Sequence, residues 1–175
     1  IEAATKRGIP VGNTPGVLTE TTAEMAIALT LAAARRVPEA DVFMRGGRYE
    51  GWLPMLFLGK LLARKTVGVI GAGSIGAAYA KMMVEGFKMD LIYYDVHRNQ
   101  GLEEYLRDYS RFLNTKGEAP ISVTRAKTVE EALEAVLTAN GYEMVEKGPF
   151  IYVYSAEELE AMRLAERQLE VRTYR

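Results

Sequence analysis

The chain has 175 residues, 49% apolar and 26% charged, and its 22 basic residues are balanced by 23 acidic ones to a net charge of −1. This length fits one domain, or one domain and part of another, and the well-mixed charge argues against a nucleic-acid groove or a polybasic membrane patch. With no cysteine, disulfides, thiolate catalysis and Cys-based zinc sites are excluded, which suits a reducing compartment.

Residues 1–17 read as the tail of a preceding unit: "EAATKRG" as the last turns of a helix stopped at Gly8, Ile9 and Val11 as a short strand, then the turn-rich "GNTPG". No signal peptide is expected in this stretch, which is charged within its first two residues. From Thr19 a long helix is expected, with Thr21 and Glu24 at capping-box spacing and Gly46-Gly47 as its end. Arg35 and Arg36 close its alanine-rich part, where cations complement the helix dipole. Trp52 to Leu62 is apolar and irregular and should pack against something, either within the chain or at a subunit contact.

Val67, Val69 and Ile70 form a strand without polar alternation, as a strand covered on both faces requires. Ile75, Ala78, Tyr79, Met82 and Met83 then share one helix face, with Gly86 as the stop, and Leu91 to Tyr94 form a second apolar strand ending at Asp95. This is a βαβ unit. After the polar "VHRNQG", Leu102, Tyr105, Leu106, Tyr109 and Leu113 mark a third helix, broken by "TKGEAP". "ISV" at 121–123 is a candidate short strand, and Thr128 with Glu131 caps another helix that stops at Asn140-Gly141. Two strands around a Lys-Gly-Pro turn follow, and Ser155 with Glu158 opens a helix to about Val171. Its charged face of Glu157, Glu158, Glu160, Arg163, Glu166 and Arg167 reads as solvated. No run approaches the roughly 20 apolar residues that span a bilayer.

The chemistry concentrates after the first strand. Gly71, Gly73 and Gly76 fit G-x-G-x-x-G: one glycine for the sharp turn, one for close approach of a pyrophosphate, one for tight helix–strand packing. The helix opening near Ser74 points unpaired N–H groups at the phosphates. Asp95 lies 19 residues beyond Gly76, where a carboxylate accepts ribose hydroxyls and repels a 2′-phosphate, favouring NAD over NADP. Arg98 is the counter-argument, since an arginine there accommodates that phosphate. A P-loop is excluded because no Lys-Ser or Lys-Thr follows the glycines.

With these residues placed, the chain resembles the D-isomer-specific 2-hydroxyacid dehydrogenases, and among them the plant-type hydroxypyruvate reductases, or glycerate dehydrogenases. The resemblance rests on "GIPVGNTPGVLTETTAE", "LAAARRVPEADVFMRGGRYEGWLPMLFLGKLL" and "TVGVIGAGSIGAAYAKMMVEGFKMDLIYYD", and on the extra helix at 102–113 followed by "SVTRAKTVEEAL". It covers residues 1 to about 135. It implies NAD(P)H-dependent reduction of hydroxypyruvate or glyoxylate in a cleft between two Rossmann-like domains, and a homodimer. It also implies that Ser74 and Ile75 present N–H groups to the pyrophosphate and that Asp95 holds the adenosine ribose. Thr22 would lie near the nicotinamide, or be no more than a helix-start residue.

The fold expected is therefore α/β: a partial Rossmann-like dinucleotide-binding domain behind a long helix, with an α+β tail. Residues 1–18 would be the remnant of a substrate domain, 19–65 an interdomain helix and arm, 66–140 a truncated dinucleotide-binding domain, and 141–175 a divergent tail. The family's catalytic arginine, glutamate and histidine would fall after residue 140, where this sequence departs from the pattern. The single histidine, His97, follows the ribose aspartate and reads as a solvated loop residue or adenine neighbour. No catalytic residue and no metal ligand is assigned. Three readings stand: a 2-keto acid reductase, a catalytically incomplete chain that still binds nucleotide, and an interaction module using the tail. A cytoplasmic or peroxisomal location is expected rather than secretion, although Thr173-Tyr174-Arg175 is not an SKL-type address.

Overall fold

A computed structural model describes residues 1–147 and 150–173. The short helix α1 (Glu2–Thr5) is ended through Gly8, and the chain then runs without regular structure to Leu18. The strand expected at Ile9 and Val11 does not form. Both residues are exposed, and among the described residues no strand lies beside them to take up their backbone hydrogen bonds.

The single helix expected from Thr19 is two, α2 (Thr19–Ala34) and α3 (Val37–Arg45). Pro38 lies in the first turn of α3, where its missing N–H costs nothing; inside one continuous helix it would break a hydrogen bond. Arg36 makes the joint at φ 54, ion-paired to Glu39 and lying 5.2 Å over the Phe57 ring. The Thr21–Glu24 capping box is not made either, because α2 already begins at Thr19 and carries no side-chain cap.

The centre is β1 (Thr66–Ile70), α4 (Ser74–Phe87), β2 (Asp90–Tyr94), α5 (Gln100–Thr115) and β3 (Val123–Arg125). The three strands are parallel in the order β1-β2-β3, with Thr66 opposite Asp90 and Leu91 opposite Val123. This bears out the α/β, Rossmann-like expectation; the third strand sits two residues later than "ISV". Helices α4 and α5 cover one face, burying Met83, Val84, Leu102 and Leu106 against Val67, Val69, Leu91 and Tyr93. Each such side chain contributes roughly 1.5–3 kcal/mol.

Helix α6 (Val129–Ala139) crosses the opposite face, with Thr128 accepting the Glu131 N–H at 3.1 Å as its cap. Gly68 admits it, since a Cβ there would come 2.6 Å from Val136 Cγ2. Ala132 packs on Ile92, but Ile70 stays exposed, so β1 is covered on both faces only over its first part. Asn140 stands in for a strand at the free edge of β1, its side chain bonding both the N–H and the carbonyl of Thr66. The tail is the antiparallel pair β4 (Tyr142–Lys147) and β5 (Phe150–Ser155), followed by α7 (Ala156–Thr173). Ser155 and Glu158 form the expected box at 2.8 and 3.3 Å. Gly148 and Pro149 of the expected turn, and the side chains of Glu166 and Arg167, lie outside the described residues.

Three further expectations need correcting. Helix α4 runs past Gly86 to Phe87, with Lys88 taking the left-handed position at φ 54. Its core residues are Ala80, Met83 and Val84, while Ile75 is exposed. The helix lies between the sheet and α2, where Tyr79 and Thr30 hydroxyls meet at 3.0 Å, so it carries two apolar faces rather than one. In the arm, Leu56, Phe57 and Leu62 are half-buried, Phe57 edge-on to Phe43 at 5.2 Å and Leu62 against the core of the sheet; Trp52, Leu53, Met55, Leu58 and Leu61 are exposed.

Candidate nucleotide site

The C-terminal ends of parallel strands are where doubly wound sheets take their ligands, and the glycine bend lies there. Gly71 leaves β1 at φ +94 and donates its N–H to the Tyr94 carbonyl at 2.8 Å. That bond sets the bend directly beside the strand end that carries Asp95. Gly76 sits against the bend itself: a Cβ there would fall 1.9 Å from the Gly71 carbonyl oxygen and 3.3 Å from Val69 Cγ1. At Gly73, by contrast, a Cβ would meet nothing within 4 Å.

Gly73 is the N-cap of α4 and offers no side chain to it, so the first-turn N–H groups, Ser74 and Ile75 among them, face outward without a cap. Open space over Gly73, exposed donors with the positive end of a helix dipole, and a carboxylate one strand away suit a dinucleotide diphosphate and its ribose. The half-buried Asp95 accepts the His97 backbone N–H at 2.9 Å, and its own carbonyl receives Arg125 Nη2 at 2.9 Å. His97 itself is exposed on this loop. Thr22 lies in the first turn of α2 with its hydroxyl turned back to the Leu18 carbonyl at 2.7 Å. It does not line the cleft where Thr19, Glu20 and Thr21 face Ser74 and Ala77.

The NAD-binding domain of D-isomer specific 2-hydroxyacid dehydrogenases matches residues 27–116, which take in the second half of α2, the glycine bend and Asp95. The chain belongs to the D-isomer specific 2-hydroxyacid dehydrogenase family. It is 54% identical over 163 residues to glycerate dehydrogenase of Cucumis sativus, covering 93% of this chain and 42% of that protein. It is 58% identical over 155 residues to the peroxisomal glycerate dehydrogenase HPR of Arabidopsis thaliana, covering 84% of this chain and 40% of that one. Among solved structures it is similar to an NADPH-dependent glyoxylate/hydroxypyruvate reductase of Sinorhizobium meliloti. The TM-score is 0.57 at 33% identity, over 78% of this chain and 37% of the other. The chain thus spans well under half the length of these dehydrogenases. The likeness to the Cucumis protein runs beyond residue 140 into the tail.

Sequence reasoning missed the residues that brace this dehydrogenase loop. Tyr93, fully buried, donates its hydroxyl to Glu103 at 2.5 Å and accepts the Asn99 N–H at 3.3 Å. Asn99 caps α5 through Leu102 N–H at 2.9 Å and donates its amide to the Ala72 carbonyl at 2.6 Å, clasping the 95–99 loop to the glycine bend. The available signal was Asn99 just before an apolar-periodic helix. Removing the hydroxyl with Tyr93→Phe strands the Asn99 N–H and leaves Glu103 Oε1 with only the Arg98 Nε donor at 3.2 Å. It should cost about 1–3 kcal/mol in urea unfolding; a change within error would mean solvent replaces it freely.

The Arg98 guanidinium holds Glu103 below the usual glutamate range, with the Tyr93 hydroxyl assisting against the opposing effect of burial. A carboxylate whose folded pKa is lowered contributes stability above its unfolded value, near 4.5, and loses it as pH falls through the folded value. The stability difference between the chain and its Glu103→Gln variant should therefore be constant at neutral pH and close in acid. Urea midpoints across that window check it; a gap that widens in acid would reverse the sign.

Proposed function

We propose that the chain provides the cofactor cradle of an NAD(P)H-dependent reductase of hydroxypyruvate or glyoxylate, with NAD preferred to NADP. The single observation that carries the reading is the Gly71–Tyr94 bond, which sets glycine bend and ribose carboxylate together at the ligand end of a parallel sheet. The names of the relatives, glycerate dehydrogenase and glyoxylate reductase, support the substrate class.

When bound, the dinucleotide supplies the hydride that reduces the 2-keto group. Ser74 and Ile75 offer their backbone N–H groups to the pyrophosphate, Gly73 leaves the approach clear, and Gly71 and Gly76 hold the bend that aims those donors. Asp95 accepts the adenosine ribose hydroxyls, and Thr22 lies toward the nicotinamide end. In this reading residues 1–18 belong to a substrate domain, 19–65 to an interdomain helix and arm, 66–140 to the nucleotide domain and 141–175 to a tail outside its sheet. The reaction also needs a proton donor and a cation at the reacting carbonyl. The one histidine stands on the Asp95 loop, at the adenosine end, so these 175 residues bind nucleotide without turning over substrate. Purified chain given NADH and hydroxypyruvate should show no loss of NADH absorbance beyond the blank; steady oxidation would refute this.

Asp95→Ala should weaken ADP-ribose binding about tenfold, the worth of a charge-assisted hydrogen bond, by calorimetric titration. An unchanged affinity would place the ribose elsewhere. The exposed Trp52, Leu53, Met55 and Leu58 support self-association through the arm. Sedimentation should then show a dimer that Trp52→Glu with Met55→Glu converts to monomer; a monomeric parent chain would remove the dimer. Among the described residues no helix is long and apolar enough to cross a membrane. With a peroxisomal relative, a peroxisomal or cytoplasmic site of action fits best.

A further inference from the structure

We propose that Glu103 sets the choice between NAD and NADP by holding Arg98 away from the 2′-phosphate position. The inference rests on the reading that Asp95 meets the adenosine ribose. At this loop the sequence carries two opposed signals, a carboxylate that repels a 2′-phosphate and an arginine that would welcome one, and the geometry resolves them.

Arg98 is occupied. Its Nη2 donates to Glu103 Oε2 at 2.7 Å, and its Nε donates to the same oxygen at 3.0 Å and to Oε1 at 3.2 Å, a fork-like grip. The two partners are unequal. The Arg98 side chain is 56% exposed and the Glu103 side chain 12%, so the carboxylate is the fixed member and the guanidinium the one that would have to move. Glu103 is held further by the Tyr93 hydroxyl, whose ring is fully buried, and it projects from the first turn of α5. The loop cannot drift to accommodate a phosphate, because Asn99 ties it to Ala72 on one side and to Leu102 on the other.

Moving Arg98 onto a phosphate would therefore leave a largely desolvated carboxylate without its cation. It would also leave two carboxylates, Asp95 and Glu103, facing a group with close to two negative charges. The other guanidinium at this edge, Arg125, already spends Nη2 on the Asp95 carbonyl. A ribose hydroxyl asks for none of these changes. Glu103 thus acts as a positioning residue through Arg98, and neutralising it without removing its acceptor for Tyr93 should release the arginine.

The test is calorimetric binding of ADP-ribose and of ADP-ribose 2′-phosphate to the 175-residue chain and to its Arg98→Ala, Glu103→Gln and double variants. The chain should prefer ADP-ribose. Arg98→Ala, a change at an exposed side chain, should leave both affinities within about twofold, because the arginine is already engaged. Glu103→Gln should tighten the 2′-phosphate ligand about tenfold, the worth of one new charge-assisted hydrogen bond, with ADP-ribose unchanged as the control for fold. The double variant should lose that improvement. Weaker 2′-phosphate binding in Arg98→Ala alone would overturn the proposal, as would a Glu103→Gln variant that binds ADP-ribose normally and the 2′-phosphate ligand no better than the parent. Failure of the parent chain to bind ADP-ribose would remove the cradle reading, and this proposal with it; the two failures are thereby distinguished.

Discussion

Gly76→Ala is expected to destabilise the chain by about 3 kcal/mol, at the upper end for an overpacked site. The new methyl would lie 1.9 Å from the Gly71 carbonyl oxygen and 3.0 Å from its carbonyl carbon. Both atoms are backbone, so no side chain can swing aside to make room. Relief requires the bend to lift from α4 or α4 to slide along β1, and that helix buries its own Met83 and Val84 against the sheet. Against a total stability of roughly 5–15 kcal/mol for a domain, the loss should show plainly in urea unfolding. A cost below about 0.5 kcal/mol would mean that helix and bend do not touch as described.

Gly73→Val should do the opposite: keep the fold and strongly weaken nucleotide binding. The position has φ −69 and ψ −163, which a β-branched residue adopts without strain, and its Cβ direction is empty to 4 Å. The fold should lose about 1 kcal/mol, the difference between a glycine and an aliphatic residue at an N-cap. The side chain would fill the space in which the diphosphate must approach the first turn of α4. Losing two charge-assisted hydrogen bonds there, at roughly 1.5–3 kcal/mol each, lowers affinity on the order of 100-fold. Parallel unfolding and ADP-ribose titrations measure both effects. A variant that binds normally would show that the phosphates do not pass over residue 73, and an unfolded one that the space is not free. Two glycines of one motif thus have separable duties, one in packing and one in leaving room.

The βαβ unit was legible in the sequence because its constraints are written in residue type. Val67 to Ile70 and Leu91 to Tyr94 are apolar since most of them are buried, and Gly71 and Gly76 are glycine because a φ of +94 and an approach of 1.9 Å admit little else. Asp95 followed from counting, as helix and strand have fixed rises. The clasp around it did not follow. Tyr93 looks like one more apolar strand residue until α5 is placed beside it, and Arg98 looks free until Glu103 is seen to hold it. The helix break at Arg36 was half-legible, through Pro38. The second apolar face of α4 was hidden because its partner, α2, is far away in sequence and was read as a separate element. In the arm, composition promised a cover for Trp52 and its neighbours that the described residues do not provide.

The most direct test of the cradle is amide chemical-shift mapping of the chain titrated with NADH. Shifts should concentrate at Gly71 to Gly76 and across the Asp95 to Asn99 loop, with Ser74 and Ile75 moving most. Saturable binding that instead moves residues of the cleft around Lys60, Leu62, Val136 and Tyr142, leaving the glycine bend unmoved, would contradict the account.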